Sequence, residues 1–362
     1  MNTIQYTQDA VALLQKLIAT PSISRDETDA ANIMEQAMID YGFTPERIGN
    51  NLMLKSSSWD ESLPTLLLNA HIDTVKPVAT WTRNPFLPTI EGDTLYGLGA
   101  NDCGGGLVSL LQIFRWLNEM QRPYNVIYLA SCEEEVSGVG GIRAVLPTLP
   151  AISLAIVGEP TGMQPAIAER GLMVIDGIAH GKSGHAARNE GVNAIYEALD
   201  DLVFIRDYQF EKVSPLLGAT KMQCTVVNSG TQHNVVPDEC RFIIDVRTNE
   251  LYTNEDVFAF LQSKLKSDIT ARSFHLHSSA LISETDDSAN ALPQQFMQKF
   301  QQMGMTPFGS PTLSDQALMR FPSFKLGPGE SCRSHSADEF IRISEIRQAI
   351  ETYMTLLSVS PE

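Results

Sequence analysis

Three short, mostly apolar runs limit most tightly how this chain can fold: residues 65–70, 126–130 and 153–157. Side chains alternate across a strand, so a strand apolar at successive positions needs cover on both faces. That requirement points to a mainly parallel sheet wrapped by helices. Helical stripes fit this. Val11, Leu14, Leu17 and Ile18 form one; Ile33, Met34, Ala37, Met38 and Tyr41 form another, stopped by Gly42. Gly104, Gly105 and Gly106 open a third helix with Leu107, Leu110, Leu111, Phe114 and Leu117 on one face. The patterning is α/β.

The texture changes at Gly171. A strand over 172–181 is followed by a helix marked by Val192, Ile195, Leu199 and Leu202. Strands near 220–228 and 239–247, a helix near 254–267 and a strand near 271–278 complete the order βαββαβ. This is the order of a ferredoxin-like unit. The reading is therefore one α/β domain, 1–170 and 279–362, interrupted by an inserted α+β domain, 171–278. The length of 362 residues suits two domains, and no internal repeat or low-complexity tract is seen.

Composition narrows the function. With 26 Lys and Arg against 43 Asp and Glu, the formal net charge is −17. Nucleic acid and anionic membrane surfaces call for a basic footprint, so neither is expected as a partner. The first residues lack a basic and apolar leader pattern, and no apolar run is long enough to span a bilayer. The five cysteines are scattered and form no C-x-x-C pair. A reducing cytoplasm is the expected setting.

In open α/β sheets, ligands gather beyond the carboxyl ends of the strands. The first run ends in Asn-Ala-His71-Ile-Asp73, and two residues apart on extended chain point the same way. Asp102 sits among Gly97, Gly99 and Gly104. The second run ends in Cys-Glu133-Glu134-Glu135-Val-Ser-Gly, and the third in Val-Gly-Glu159-Pro160-Thr161. Far along the chain stands Ser-His335-Ser-Ala-Asp338-Glu339. Each alone has a plain alternative: a hydrogen-bonded core histidine, a turn aspartate, a solvated loop. Together they place two histidines and several carboxylates on one sheet edge. Imidazole with carboxylate is the ligand mix of zinc, cobalt or manganese in hydrolases. Such a set can hold two ions sharing a carboxylate.

These motifs resemble those of the M20 metallopeptidases, close to the acetylornithine deacetylase and succinyl-diaminopimelate desuccinylase branch. The likeness runs over nearly the whole chain, inserted domain included. It implies that His71 binds one metal and that Asp73 orients His71. Asp102 would bridge two divalent metal ions, Glu159 would join His71, and His335 would bind the second ion. Aligned on Glu-Val-Ser-Gly, Glu134 falls on the general base and Glu135 on a metal ligand. A one-residue slip would instead make Glu133 the base and Glu134 the ligand. Gly-Lys-Ser-Gly-His185 resembles the family's lid motif, whose histidine stabilises the oxyanion in the partner subunit. The likeness implies a homodimer formed through the lid domain. Asn234 and Arg247 resemble lid residues that bind the substrate carboxylate; a surface salt bridge is the plain alternative for Arg247. Gly327 and Gly329 resemble a loop whose backbone faces substrate. Cys103 departs from the Lys or Met common after the bridging Asp. Arg333 places a charge near the presumed metals, where it could favour a substrate with a carboxylate or polar side chain.

The expectation is a cytoplasmic, dimeric, zinc-dependent amidohydrolase, with cobalt or manganese as other possible metals. Its substrate would be a small-molecule N-acyl amino acid, N-acetylornithine or N-acetylcitrulline in arginine biosynthesis. Alternatives on the same scaffold are a succinyl-amino acid desuccinylase and a dipeptidase or carboxypeptidase. Outside enzymes, the alternative is a non-catalytic binding protein of this fold.

Overall fold

The computed structural model describes residues 3–188, 190–282 and 291–358. The chain forms two compact units, Met1–Ile167 with Leu281–Phe308 and Ser314–Glu362, and Ala168–Ala280 with Gly309–Leu313.

The first unit is built on a mixed sheet. Across it the strands run Glu46–Ile48, Asn51–Lys55, Asn125–Ser131, Thr65–His71, Leu154–Val157, Ser323–Lys325 and Ala166–Glu169. The four strands from Asn125–Ser131 to Ser323–Lys325 are parallel to their neighbours, with Leu66 opposite Val126 and Leu154. The flanking pairs are antiparallel. The mainly parallel sheet read from the sequence thus holds for the centre and gives way to antiparallel strands at both sides. Leu66, Leu68, Val126, Tyr128, Ile156 and Phe324 face one core, covered by the helices Thr3–Ile18, Gly105–Asn118 and Ile343–Leu357. Leu67, Ile127, Leu129, Ala155 and Val157 face a second core with Ile142, Val145 and Met319. Two covered faces explain the apolar runs. Each buried Leu or Ile contributes about 1.5–3 kcal/mol, and Leu67→Ala would cost roughly 2–5 kcal/mol.

The second unit has a four-stranded antiparallel sheet in the order Lys221–Ser229, Glu239–Arg247, Met173–His180, Asp268–Ala271. Its helices are Ala194–Asp207 and Asn254–Lys264, capped by the side chains of Asn193 and Thr253. The last strand lies earlier than the 271–278 expected from sequence. The Asn254 amide accounts for the difference, because it donates to the carbonyls of Phe274 (3.3 Å) and Leu276 (2.8 Å). The Leu276 carbonyl also accepts the Leu172 amide in a single isolated bridge, so the ladder does not continue as a strand. The first helix also turns a different face inward. Ala194, Ala198, Asp201 and Ile205 are buried, while Ile195, Tyr196, Leu199 and Val203 are exposed. Asp201 is inside because it accepts the amide N–H groups of Lys266 and Ser267. Among the described residues no helix is long and apolar enough to cross a membrane.

Candidate active site

The parallel register sets His71 opposite Ser131, so two strands end level and their following loops start together. His71 is buried, and its Nδ1 lies 2.8 Å from the Asp73 carbonyl oxygen. The Asp73 carboxylate is 3.6 Å from the same nitrogen. That carboxylate mainly serves the neighbouring loop. It accepts from the Ser24 hydroxyl at 2.6 Å and from the amides of Glu134 and Glu135 at 3.0 and 3.2 Å. Burial pushes Asp73 up, yet His71 and these donors outweigh it and hold the carboxyl below its usual range.

His71 Nε2 faces Asp102 Oδ1 at 3.4 Å and Glu159 Oε1 at 3.8 Å. The other Asp102 oxygen lies 3.5 Å from His335 Nε2. One carboxylate therefore spans two imidazoles. His335 Nε2 also lies 2.8 Å from Glu135 Oε2. The Glu135 hydrogen bond comes first among the causes that raise His335 to about 9, and burial opposes it. The three adjacent glutamates part company. Glu133 has left-handed backbone and turns its carboxylate to the amide of Gly140, at 3.2 Å, inside the Gly138–Gly141 turn. Glu135 meets His335. The Glu134 carboxylate has no hydrogen-bond or ion-pair partner among the described residues. Burial pushes Glu134 well above the carboxylate range, and the charges of Glu159, Asp315 and Glu135 add to this against the opposing effect of His71. Glu159 is raised to about 8, by burial first and then by Asp102.

The donor set fits metal ions. Ligands bound about 2.0–2.2 Å from a zinc-sized ion end up roughly 3–4 Å apart, the spacing found here. His71 Nε2 and Glu159 Oε1 are buried with no hydrogen-bond partner among the described residues. Donor atoms of His71, Asp102 and Glu135 lie within 4.8 Å of one another. Leaving the two buried atoms His71 Nε2 and Glu159 Oε1 without partners is costly unless a cation sits between them.

The family model for "Peptidase family M20/M25/M40" matches residues 67–359. The chain belongs to this family. Acetylornithine deacetylase of Proteus mirabilis (strain HI4320) is 28% identical over 370 residues, 94% of each chain. Succinyl-diaminopimelate desuccinylase 2 of Ruegeria sp. (strain TM1040) is 24% identical over 98% of this chain and 95% of its own. In fold the M20 chain is similar to aminopeptidase PepT of Bacillus cereus, with TM-score 0.75, 17% identity, and coverage of 97% and 98%. It is also similar to YXEP of Bacillus subtilis, a dinuclear metal binding peptidase from the M20 family, with TM-score 0.69, 16% identity, and coverage of 98% and 97%. The chain is a metal-dependent amidohydrolase of the M20 type, acting on small molecules.

Within this M20 chain the other residues singled out from sequence have distinct surroundings. Gly327 packs against backbone and Gly329 against the Asn101 side chain. A Cβ on Gly327 would lie 2.5 Å from the Glu159 carbonyl, and one on Gly329, at φ +85°, 2.2 Å from Asn101 Oδ1. Their carbonyls accept from Thr161, Met163 and Gly162. The charge of Arg333 is matched within the chain. It forms a two-pronged pair with Glu345 at 2.7 and 2.9 Å and stacks over Phe340. In the second unit Arg247 pairs with Asp245 at 2.8 and 3.0 Å, two residues back on the same strand. His185 and Asn234 share a short antiparallel ribbon. The amide of Ala187 donates to His185 Nδ1 at 3.1 Å, leaving Nε2 to carry the proton in the neutral ring.

Sequence reading missed three supports. Buried Glu339 accepts the amides of Gly99, Asn101 and Asp102 at 3.1, 2.8 and 2.9 Å and so shapes the turn that presents Asp102. Its place in Ser-His-Ser-Ala-Asp-Glu was the available signal. Asn101 bonds Glu330 and Ser334, fixing the His335 loop. Asp315 is buried and accepts from Ser131 Oγ at 2.5 Å, under the end of the strand leading to the glutamates. No local pattern marks it.

Proposed function

We propose that this M20 hydrolase removes an acyl group, acetyl in the first instance, from the α-amine of an amino acid such as N-acetylornithine or N-acetylcitrulline, in cytoplasmic arginine biosynthesis. The observation that carries the hydrolytic reading is the Glu134 carboxylate, without a partner beside a converging set of imidazoles and carboxylates. His71, Asp102 and Glu159 would hold one divalent ion and Asp102, Glu135 and His335 the other, zinc first and cobalt or manganese next. Bound, the ions supply Lewis acidity and a water acidic enough to deprotonate near neutral pH.

Glu134 takes a proton on a carboxylate oxygen from the attacking water as the water oxygen bonds to the amide carbonyl carbon, and returns it to the amine nitrogen as the carbon–nitrogen bond breaks. Asp73 holds the glutamate loop and the ring of His71 in register. His185, matched to the family's lid motif, donates Nε2–H to the developing oxyanion. Asn234 and Arg247, matched likewise, are assigned to the substrate carboxylate, for which Arg247 would exchange Asp245. The acetyl preference and ornithine are drawn from the named deacetylase relatives. The desuccinylase relatives support the succinyl alternative.

The test is amine release from acetylornithine, acetylcitrulline, their succinyl forms, succinyl-diaminopimelate and a few dipeptides, with and without a chelator. Chelator-sensitive turnover of an acetyl compound above the rest is expected. Preference for a succinyl compound or a dipeptide would move the assignment within the family. Turnover of none by metal-loaded protein would favour a binding role.

A further inference from the structure

We propose that Cys103 supplies a sulfur donor to the ion held by His71 and Glu159, making that half of the centre thiophilic. The inference rests on the two-ion reading above. Its geometric basis is a second donor group. Cys103 Sγ, a ring nitrogen of His71 and a carboxylate oxygen of Glu159 lie within 4.8 Å of one another. Independently, His71 Nε2 and Glu159 Oε1 are buried atoms with no hydrogen-bond partner among the described residues, and they lie 3.8 Å apart. Cys103 and His71 are 1% and 2% exposed, so no solvent competes for the sulfur.

Burial raises the Cys103 thiol in the absence of an ion, and one backbone donor is placed to serve a bound thiolate. The backbone N–H of His71 donates to Sγ at 3.2 Å, a contact that would persist and steady the sulfur once it carries charge. The thiol also lies 3.6 Å from the His71 carbonyl, where it is a weak donor that an ion can displace. Ligation forms one sulfur–metal bond and releases the thiol proton to solvent, with no change of oxidation state, as a coordinating thiol is deprotonated by the ion. A soft donor at one ion and oxygen and nitrogen donors at the other make the two positions unequal. The sulfur side favours zinc, cobalt or cadmium over manganese and magnesium.

The experiment loads metal-stripped protein with cobalt(II), in a C332S background that removes the exposed thiol of the 331–333 turn. A near-ultraviolet sulfur-to-cobalt charge-transfer band is expected, lost in both C103A and C103S. Both variants should still bind two cobalt ions by elemental analysis. Their preference for cadmium over manganese should fall about tenfold or more. Circular dichroism of the metal-stripped variants checks that they fold, with C103S as the near-isosteric control. Two bound cobalt ions with no band, or a band that survives C103A, would overturn the sulfur ligand and leave the two-ion centre standing. Failure of the parent protein to bind cobalt at all would overturn the centre itself.

Discussion

Glu133, Glu134 and Glu135 share one chemistry and occupy three environments, and this difference makes the loop testable residue by residue. Glu134→Gln removes the group proposed to carry the proton and should lower kcat by about 10²–10⁴-fold. The two ions should remain by elemental analysis, because Glu134 contributes no donor to the set. Glu133→Gln weakens only the Gly140 contact, so a lower melting temperature with kcat changed by a small factor is expected. The opposite pattern would shift the loop's roles by one residue. Titration of the metal-stripped chain has a definite sign. Burial, first among the causes, raises Glu159 to about 8, Glu339 to about 7 and Asp315 to about 6, all above their unfolded values. The unfolded chain therefore ionises first. The stability these groups contribute is complete below the unfolded pKa values and lost as pH rises through about 6 to 8. His335, raised to about 9 by Glu135, has the same sign and loses its contribution above the unfolded value of 6.5. The melting temperature of metal-stripped protein should fall between mildly acidic and mildly alkaline pH, less steeply in Glu159→Gln. A rise over that range would contradict the assignment.

At the scale of elements, a turn holds Asp102 and a distant carboxylate holds the turn. Glu339 takes three amides of the glycine-rich segment, a job that a carboxylate with two acceptor oxygens does and an amide cannot do equally. Glu339→Gln would set an N–H donor against one of these amides. A stability loss of about 1–3 kcal/mol is expected, with metal affinity falling roughly 10–100-fold in competition with a chelating dye. Unchanged affinity would reduce Glu339 to a structural part. This arrangement also shows what sequence can and cannot carry. The apolar runs were legible because two covered faces demand them, and His71 and Glu159 follow directly from where those runs stop. Glu339 was visible only as a member of a motif, since its partners lie some 240 positions away. Asp315 had no motif at all. The apolar stripe of helix Ala194–Asp207 signals a helix, but periodicity cannot say which face meets its own sheet. There the answer came from Asp201, a buried acid that two backbone amides make acceptable.

For the whole molecule, the exposed apolar groups of the second unit bear on assembly. Ile195, Tyr196, Leu199 and Val203 stand out from one helix, and Val226 and Val227 from Lys221–Ser229, an edge strand of the sheet. An edge strand with apolar side chains invites pairing with another chain, and a two-fold pair of such surfaces is self-complementary. These features support the proposed dimer through the inserted domain, and Leu199→Glu should shift light scattering from dimer to monomer while the circular dichroism of the fold persists. The proposed role of His185 across that dimer has a sharper test. Glu134→Gln and His185→Ala homodimers should each be nearly inactive. Mixed under conditions that exchange subunits, half of the dimers are hybrids. In each hybrid one site combines an intact Glu134 with an intact His185 from the other chain, so activity should recover to roughly a quarter of the parent value. Exchange is checked separately by mass-tagged subunits. Recovery would mean that each site is completed by its partner and that the monomer is a folded but unfinished enzyme. Exchange without recovery would place His185 in service of its own chain, or outside the reaction, and the dimer would then need another reason to exist.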